Sequence, residues 1–406
     1  MPLPEPGPVE LQRRLTLPLL TFYGLGTIVG AGVYVLIGAV AGRAGLYAPI
    51  AFLMSAFIAA LTSRSYAELS ARFPKSAGEA VYVRQAFGNP HLAALTGLAV
   101  IVTGIVSAAT IANGFAGYVQ VFVDSPAEVV IVLFLVMLCA VAVWGILESV
   151  LVATVITVLS IAGLLIVVFL ASDSLLALRA GWPELLPPFE FGAWTGITFG
   201  AFLAFYAFIG FEDMVNVAEE VQDPRRTLPL AIYLALLMAS FLYVLVALVA
   251  VLSLEAQALA ASEAPLVDVV AAAGKTDAAP LIAVLSLLSV TNSALAQIIM
   301  ASRILYGMSR DGALPAWFAN VSSRTRTPVR ATVFTGGVVL IFALALPLVT
   351  LAEITSFVIL TVFILVNASF VRLSWNETAR LTATPLIAIA FCLFLLIVQS
   401  YVRFTT

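Results

Sequence analysis

The chain has 406 residues, of which 62% are hydrophobic and only 10% charged, and its formal net charge is −3. Such a composition excludes a soluble globular protein and indicates a helical protein that crosses a membrane many times. The single histidine and the two cysteines, Cys139 and Cys392, give no metal-ligand or disulfide pattern, and the sequence has no cluster of catalytic side chains. We therefore expect no enzyme, no metal, no cofactor and no nucleic-acid partner.

Apolar stretches of about 20 residues recur along the chain, and each is long enough to cross the hydrocarbon core as a helix. We predict eleven spans, at 15–40, 46–69, 93–122, 127–147, 149–172, 194–218, 228–253, 280–306, 329–349, 351–372 and 381–402. The residues before them, 1–14, are predicted to form a short cytoplasmic tail and not a signal peptide.

The lysines and arginines set the orientation of these spans. With the N-terminus inside, only four of the 19 basic residues fall on the outer side, namely Arg43, Arg179, Lys275 and Arg403. This bias follows the positive-inside rule. We therefore expect an integral protein of a prokaryotic plasma (inner) membrane, surrounded by lipid, with a cytoplasmic N-terminus. The oligomeric state is left open.

Glycine clusters interrupt the first and the sixth predicted spans. The first break covers 26–32, and the second is centred on Gly210 and followed by Glu212. A break at mid-depth bares backbone groups that are tolerated only where they line a cavity, and a matched pair indicates the substrate site of a transporter. The alternative is that these are glycines of ordinary helix packing. The paired position and the flanking acid favour the transporter.

Five spans begin with each broken helix, and the two sets of five run in opposite directions. The sequence thus predicts an all-α polytopic membrane protein with a 5+5 inverted repeat. The first unit is predicted at 15–172 and the second, inverted unit at 194–372, with an additional helix at 381–402.

The two breaks offer complementary backbone groups. The half-helix that starts near Gly32 directs unpaired amides of Gly30, Ala31 and Gly32 into the break, where an anion such as a carboxylate binds well. The half-helix that ends near Phe208 offers carbonyls of Tyr206, Phe208 and Ile209, which suit an ammonium group. Together they describe a receptor for the zwitterionic head of an α-amino acid.

Two motifs carry a family resemblance. The run GTIVGAGVY at 26–34 resembles the first-helix signature of the amino acid, polyamine and organocation (APC) superfamily, and FYAFIGFE at 205–212 is similar to its sixth-helix signature. The resemblance covers spans one to ten and implies a LeuT-type fold. It implies that the substrate carboxylate meets the amides of Ala31 and Gly32. The amino group would meet the carbonyls of Ile28, Tyr206 and Ile209, beside Gly210, beneath a gate of Phe205, Tyr206 and Phe208.

Glu212 has two open interpretations. An ionisable group inside a spanning helix is costly and indicates a function. In exchangers of the superfamily, the glutamate at this place is a proton-sensitive element. The alternative is a carboxylate bound by backbone amides of the broken helix, which only holds the gate.

The coupling ion is open as well. Proton-coupled members and uniporters of the superfamily often carry a lysine in the fifth span, where this chain has Ser160. The position would suit Na⁺, an ion that prefers oxygen ligands. The candidate ligands are the carbonyls of Gly26 and Val29 and the hydroxyls of Ser160, Ser286, Ser289, Thr291 and Ser293. These hydroxyls are alternatively bonded to helix backbone.

With no charge but Glu212 in the middle of a span, the sequence favours a neutral or apolar amino acid as substrate. Polar candidates for its surroundings are Ser107, Thr110, Asn113, Asn292, Gln297 and Thr361. We expect a secondary active transporter that works by alternating access and is coupled to H⁺ or operates by exchange. Alternatives are a sodium-coupled symporter, a carrier of cationic amino acids or polyamines, and, in a different class, a membrane amino acid sensor.

Overall fold

A computed structural model describes residues 15–30, 32–74, 78–144, 150–177, 182–322, 324–325, 327–378 and 382–405. Within these ranges the regular structure is helical, apart from one isolated β-bridge. The described α-helices are α1 (Leu17–Ile28), α2 (Gly32–Ala44), α3 (Ala48–Arg72), α4 (Gly78–Phe87), α5 (Pro90–Gln120), α6 (Ala127–Trp144), α7 (Val150–Leu170), α8 (Phe191–Ala204), α9 (Pro224–Ser253), α10 (Ala256–Ala261), α11 (Pro265–Ala272), α12 (Ala279–Arg310), α13 (Val329–Ala345), α14 (Leu348–Thr378) and α15 (Ala383–Thr405).

The helices occupy the predicted spans. Eight helical segments of the described residues are long and apolar enough to cross a membrane, and three further apolar helices are shorter. The prediction of an all-helical polytopic membrane protein is confirmed. The first predicted span is divided into α1 and α2, and the sixth into α8 and two 3₁₀ segments, Phe205–Phe208 and Glu212–Glu220.

The second break depends on one backbone conformation. The 3₁₀ turn Phe205–Phe208 is followed by Ile209 in an extended conformation, and Gly210 then adopts φ +127°. A residue with a side chain rarely tolerates this conformation, so glycine lets the chain turn away from the helix axis here. The carbonyl of Thr27 would lie 2.6 Å from a Cβ at Gly210, which also excludes a side chain sterically.

Four long helices pack against one another in pairs. The second and seventh spans meet as α3 and α9, and the third and eighth meet as α5 and α12. α2 lies along α8, and α1 packs on α7 and α9. The two breaks therefore lie side by side in the interior of the protein.

The chain that enters α1 is tied to the chain that leaves the sixth span. Leu15 and Val221 form a parallel bridge, in which Leu15 N donates to Glu220 O over 3.0 Å and Gln222 N donates to Leu15 O over 2.9 Å. This pairing joins the two segments on the face from which the chain enters α1, which we call the N-terminal face.

Two short helices cover the opposite face. α10 packs on α2, where the carbonyl of Leu259 would lie 2.2 Å from a Cβ at Gly38. The carbonyl of Glu263 approaches Gly117 of α5 in the same way. Leu259 and Leu266 are fully buried, so α10 and α11 are packed into the bundle and not laid loosely over it.

Candidate substrate site

A small cavity lies between the two breaks. Its volume is about 20 Å³, which is room for about one water molecule. The lining residues come from both breaks, α5 and α12: Thr27, Ile28, Gly32, Ser107, Ile111, Tyr206, Ile209, Ser293 and Gln297. An amino acid fits here only after the surrounding helices separate.

Direct contacts hold the breaks together around this cavity. The Thr27 hydroxyl lies 2.8 Å from Gly210 O and 2.9 Å from Gly24 O, so the two carbonyls share its one proton. Gly32, the first residue of α2, lies so close to Ala207 that an added Cβ would stand 2.2 Å from its Cα. Glycine at 32 thus allows the backbones of the two breaks to touch.

Several residues predicted from the sequence line the cavity. Ile28, Gly32, Tyr206 and Ile209 come from the two breaks, and Ser107 and Gln297 from α5 and α12. The Tyr206 and Ser107 hydroxyls are 2.9 Å apart, so the phenol is held across the cavity.

Other predicted residues lie nearby without lining the cavity. Phe205 packs edge-on against Phe363 of α14, and Phe208 packs against Tyr243 of α9. Gly210 lies at the turn of the second break, and Gly30 contacts Ser293 of α12. Ala31 lies outside the described residues.

Three of the remaining polar candidates donate hydrogen bonds to helix backbone. Asn113 donates to Ala343 O of α13 over 3.1 Å, and the hydroxyls of Thr110 and Thr361 donate to carbonyls one turn earlier in their own helices. Thr361 is exposed on the outside of the bundle, and Asn292 is half-buried on α12 without lining the cavity.

Two carbonyls of the first break already accept hydrogen bonds. The Tyr243 hydroxyl donates to Ile28 O over 2.6 Å, and the Ser289 hydroxyl donates to Gly30 O over 2.6 Å. Tyr243 was missed in the sequence, where the one available signal is a tyrosine in the middle of an otherwise apolar span. Its bond leaves one lone pair of the Ile28 carbonyl for a ligand.

Glu212 is bound to the second break. It is buried, and its Oε2 accepts a hydrogen bond from Gly210 N over 2.8 Å. The carboxylate thus stabilises the turn that follows the 3₁₀ segment, and it does not line the cavity.

Asp213 is a second buried acid that the sequence interpretation did not single out. It is 7% exposed, and Gln297 Nε2 lies 3.5 Å from its Oδ2. Because Gln297 lines the cavity, this contact links an acidic side chain to the site through one amide. The Glu212–Asp213 pair in the sequence was the signal that a second acid shares the broken helix.

The predicted ion ligands lie close to the first break, and all five of their hydroxyls donate to backbone carbonyls, that of Ser289 to Gly30 O. Ser160 donates to Ile156 O, Ser286 to Ile282 O, Thr291 to Leu287 O and Ser293 to Ser289 O. Tyr34 donates to Ser160 O, and Thr157 lies directly against Gly26. Val29 is buried at the end of α1. The two candidate helices, α7 and α12, therefore meet the break through hydroxyl groups.

Comparison with known proteins agrees with this architecture. The sequence matches the family described as amino acid permease over residues 20–406. The chain belongs to the amino acid permease family. The names given to this family and to the relatives below are those of transporters and not of enzymes.

Individual relatives differ in their named substrates. A vacuolar cationic amino acid transporter of Arabidopsis thaliana is 32% identical over 80% of this chain and 54% of its own length. A branched-chain amino acid permease of Bacillus subtilis is 27% identical over 98% of this chain and 90% of its own length. A methylthioribose transporter of the same organism is 28% identical over 90% and 82% of the two chains. This chain spans 54% to 62% of the length of the plant relatives it matches.

Proposed function

We propose that this protein is a secondary active transporter that carries an amino acid across a membrane by alternating access. The observation that carries the proposal is the cavity between the two broken helices, which is lined by Gly32 at the start of one half-helix and by Tyr206 and Ile209 at the end of another. Amides and carbonyls at such ends suit the carboxylate and the ammonium group of an amino acid.

The contacts that cover the cavity at each of the two faces support alternating access. The Leu15–Val221 bridge joins two segments on the N-terminal face, while α10 and α11 cover the other. A cavity with room for about one water has to expand to admit an amino acid, and rocking of one bundle against another around a fixed site is the usual motion in inverted-repeat transporters. The distribution of basic residues supports a cytoplasmic N-terminal face, in an inner or plasma membrane.

Neutral or apolar amino acids are the first substrate class that we propose. The described lining consists of backbone, hydroxyl, aliphatic, aromatic and amide groups, with no ionisable group besides the Tyr206 phenol. Proton coupling or exchange is the mode that we propose, because three carboxyl groups, those of Glu79, Glu212 and Asp213, are buried in the protein.

A cationic amino acid or amine is the second candidate. Asp213 reaches the cavity through Gln297, and a separation of the helices that displaces this amide would expose the carboxylate to a basic side chain. A nearby cationic group favours the ionised form of a buried acid and offsets part of the cost of burying it.

Uptake into proteoliposomes tests the proposal. Labelled leucine, alanine, lysine and putrescine are supplied in turn, with the pH gradient, sodium and internal amino acid varied one at a time. Saturable uptake of leucine or alanine that is accelerated by an inward proton gradient or by internal amino acid supports the proposal. Saturable uptake of lysine or putrescine, without saturable uptake of leucine or alanine, supports the second candidate. Absence of saturable uptake of all four compounds contradicts both candidates.

Asp213→Asn separates the two substrate classes. The change removes the negative charge that lies behind Gln297 and keeps a side chain of similar size. If the substrate is apolar, affinity is expected to change little, and if it is cationic, affinity is expected to fall at least tenfold. Asp277→Asn, exposed before the start of α12 and outside the cavity, is the matched control.

A further inference from the structure

Three buried carboxyl groups lie on the side of the cavity toward the N-terminal face. Glu212 and Asp213 belong to the broken sixth span, and Glu79 belongs to α4, the short helix between α3 and α5. Their exposed fractions are 3%, 7% and 2%. The charges of Glu79 and Asp213 both act on Glu212, and that of Glu79 acts on Asp213.

Neighbouring side chains enclose Glu79 from two elements. The Tyr66 hydroxyl of α3 lies 3.4 Å from Glu79 Oε1, and the Tyr66 ring packs edge-on against Phe211 in the second break. Gly78, the first residue of α4, contacts Val215 of the Glu212–Glu220 segment so closely that a Cβ would stand 2.5 Å from its Cγ2. The start of α4, where Glu79 lies, is thus packed against the segment that must move if the N-terminal face opens.

The elements that carry or contact these acids also hold buried side-chain polar atoms without a hydrogen-bond partner in the described part of the chain. They are the hydroxyl of Tyr82, which is fully buried beside Glu79, the side-chain amide of Asn216 and Oε1 of Gln297. Buried polar groups of this kind normally contact a partner or an ordered water. The region around the acids is therefore polar and suited to ordered water.

A shared metal ion does not account for the cluster. Among the residues that the structure describes, no group of three acidic, histidine or cysteine side chains is close enough to hold a metal. Three ionised carboxylates in one buried region are strongly unfavourable, so protons are the ligands that neutralise them.

The titratable groups near Glu79 are tyrosines and other acids, which do not neutralise its carboxylate. Those from the packed elements are Tyr66 on α3, Tyr82 on α4 itself, and Glu212 and Asp213 on the broken span. Arg372 of α14 stacks on Phe87 at the far end of α4, and His91 is exposed at the start of α5. Burial raises the pKa of Glu79 to about 7, which is above the ordinary range of a carboxyl group.

We propose that Glu79 is a proton-binding residue of the transport cycle, which holds a proton while the N-terminal face is closed and releases it when that face opens. The inference rests on the proposed transport function and adds a residue outside the spanning helices to it. Opening hydrates Glu79 and lets its pKa fall toward 4.5. The closed form therefore binds the extra proton between pH 4.5 and about 7 and loses this stabilisation as the pH rises through about 7.

Infrared difference spectroscopy on the full-length protein in lipid nanodiscs, titrated from about pH 5 to about pH 9, tests the proton site without any substrate. Wild type is compared with Glu79→Gln and with Glu68→Gln, whose carboxylate is exposed on α3. Glu79→Gln is expected to lose one protonated-carboxyl band that titrates near neutral pH, while Glu68→Gln keeps it. An unchanged band in Glu79→Gln overturns the inference.

Tyr66→Phe keeps the ring packing and removes the hydroxyl that favours the ionised form of Glu79. It is expected to move the same band to higher pH by about half a unit. A shift to lower pH contradicts the arrangement.

Uptake then tests the role in transport. Unlike Glu68→Gln, Glu79→Gln is expected to lose the pH dependence of uptake near neutrality. A wild-type pH profile in this variant overturns the transport role even if the band is lost. If wild type itself shows no uptake, the proposed function fails, and the infrared titration still decides whether Glu79 binds the proton.

Discussion

The hydroxyl of Thr27 donates to the carbonyl of Gly210 over 2.8 Å, and this bond joins the two broken helices directly beside the cavity. Thr27 precedes the end of α1 by one residue, and Gly210 is the turn of the second break. A polar residue at the end of one half-helix thus donates to a carbonyl of the other break, which lies beyond the end of its own half-helix.

Thr27→Val tests this connection. Valine has the shape of threonine without the hydroxyl, so the change leaves Gly210 O with one partner fewer and costs about 1 kcal/mol in the closed form. We expect the apparent substrate affinity to change by about fivefold, measured by competition with labelled substrate. Thr361→Val, an exposed threonine that bonds within its own helix, is the control. Equal affinities for both variants would contradict a role for the bond.

Gly32→Ala tests the contact between the two backbones. The added methyl group would stand 2.2 Å from the Ala207 Cα, so one break has to shift, at a cost of about 1–3 kcal/mol. We expect at least tenfold weaker binding. Gly337→Ala on α13 adds the same group in open space and is expected to bind as wild type does. Normal binding by Gly32→Ala would show that the site does not need this close approach.

The bond from Gly210 N to Glu212 predicts opposite outcomes for two substitutions. Glutamine keeps an oxygen that accepts this bond, whereas alanine leaves a buried amide unpaired, at about 1–3 kcal/mol. We expect Glu212→Gln to unfold close to the wild-type temperature in detergent and Glu212→Ala clearly below it. Glu255→Ala, in an exposed loop, controls for loss of a carboxylate. If Glu212→Ala unfolds as wild type does, the carboxylate does not hold the turn.

Sodium is expected to have no effect on the rate. The hydroxyls of Ser160 and Ser289 donate to Ile156 O and Gly30 O, and Tyr34 donates to Ser160 O, so the region beside the first break is joined by neutral groups. Replacement of sodium by choline at constant ionic strength should leave initial uptake within about 20% of its value, since no ion bridge has to form. A severalfold loss would favour the sodium site around Ser160.

The sequence predicted the helical architecture well because the strongest signals, apolar stretches and glycine clusters, can be read along the chain without knowledge of contacts between distant residues. Apolar length defines the spans, and the glycines around Gly30 and Gly210 mark where helices stop. Ile28, Gly32, Tyr206 and Ile209 follow from these breaks, and all four line the cavity. They are the residues whose place depends on local backbone geometry.

Contacts between distant segments were harder to predict. Nothing local to Tyr243 shows that its hydroxyl reaches Ile28 O, 215 positions earlier in the chain. The burial of Asp213 and Glu79 likewise depends on α3, α4 and the second break packing together, which no single span reveals. Asn113 is a similar case, because a polar residue on a helix is equally suited to a ligand and to the neighbouring backbone of α13.

The bridge between Leu15 and Val221 has a consequence for genetic screens. Both of its hydrogen bonds run between backbone atoms, from Leu15 N to Glu220 O and from Gln222 N to Leu15 O. Replacing these side chains by alanine leaves the donors and acceptors in place, so an alanine scan would pass over this closure. Proline at 222 removes one donor and is the kind of change that exposes it. The bridge thus depends on the path of the backbone and hardly on the identity of the side chains.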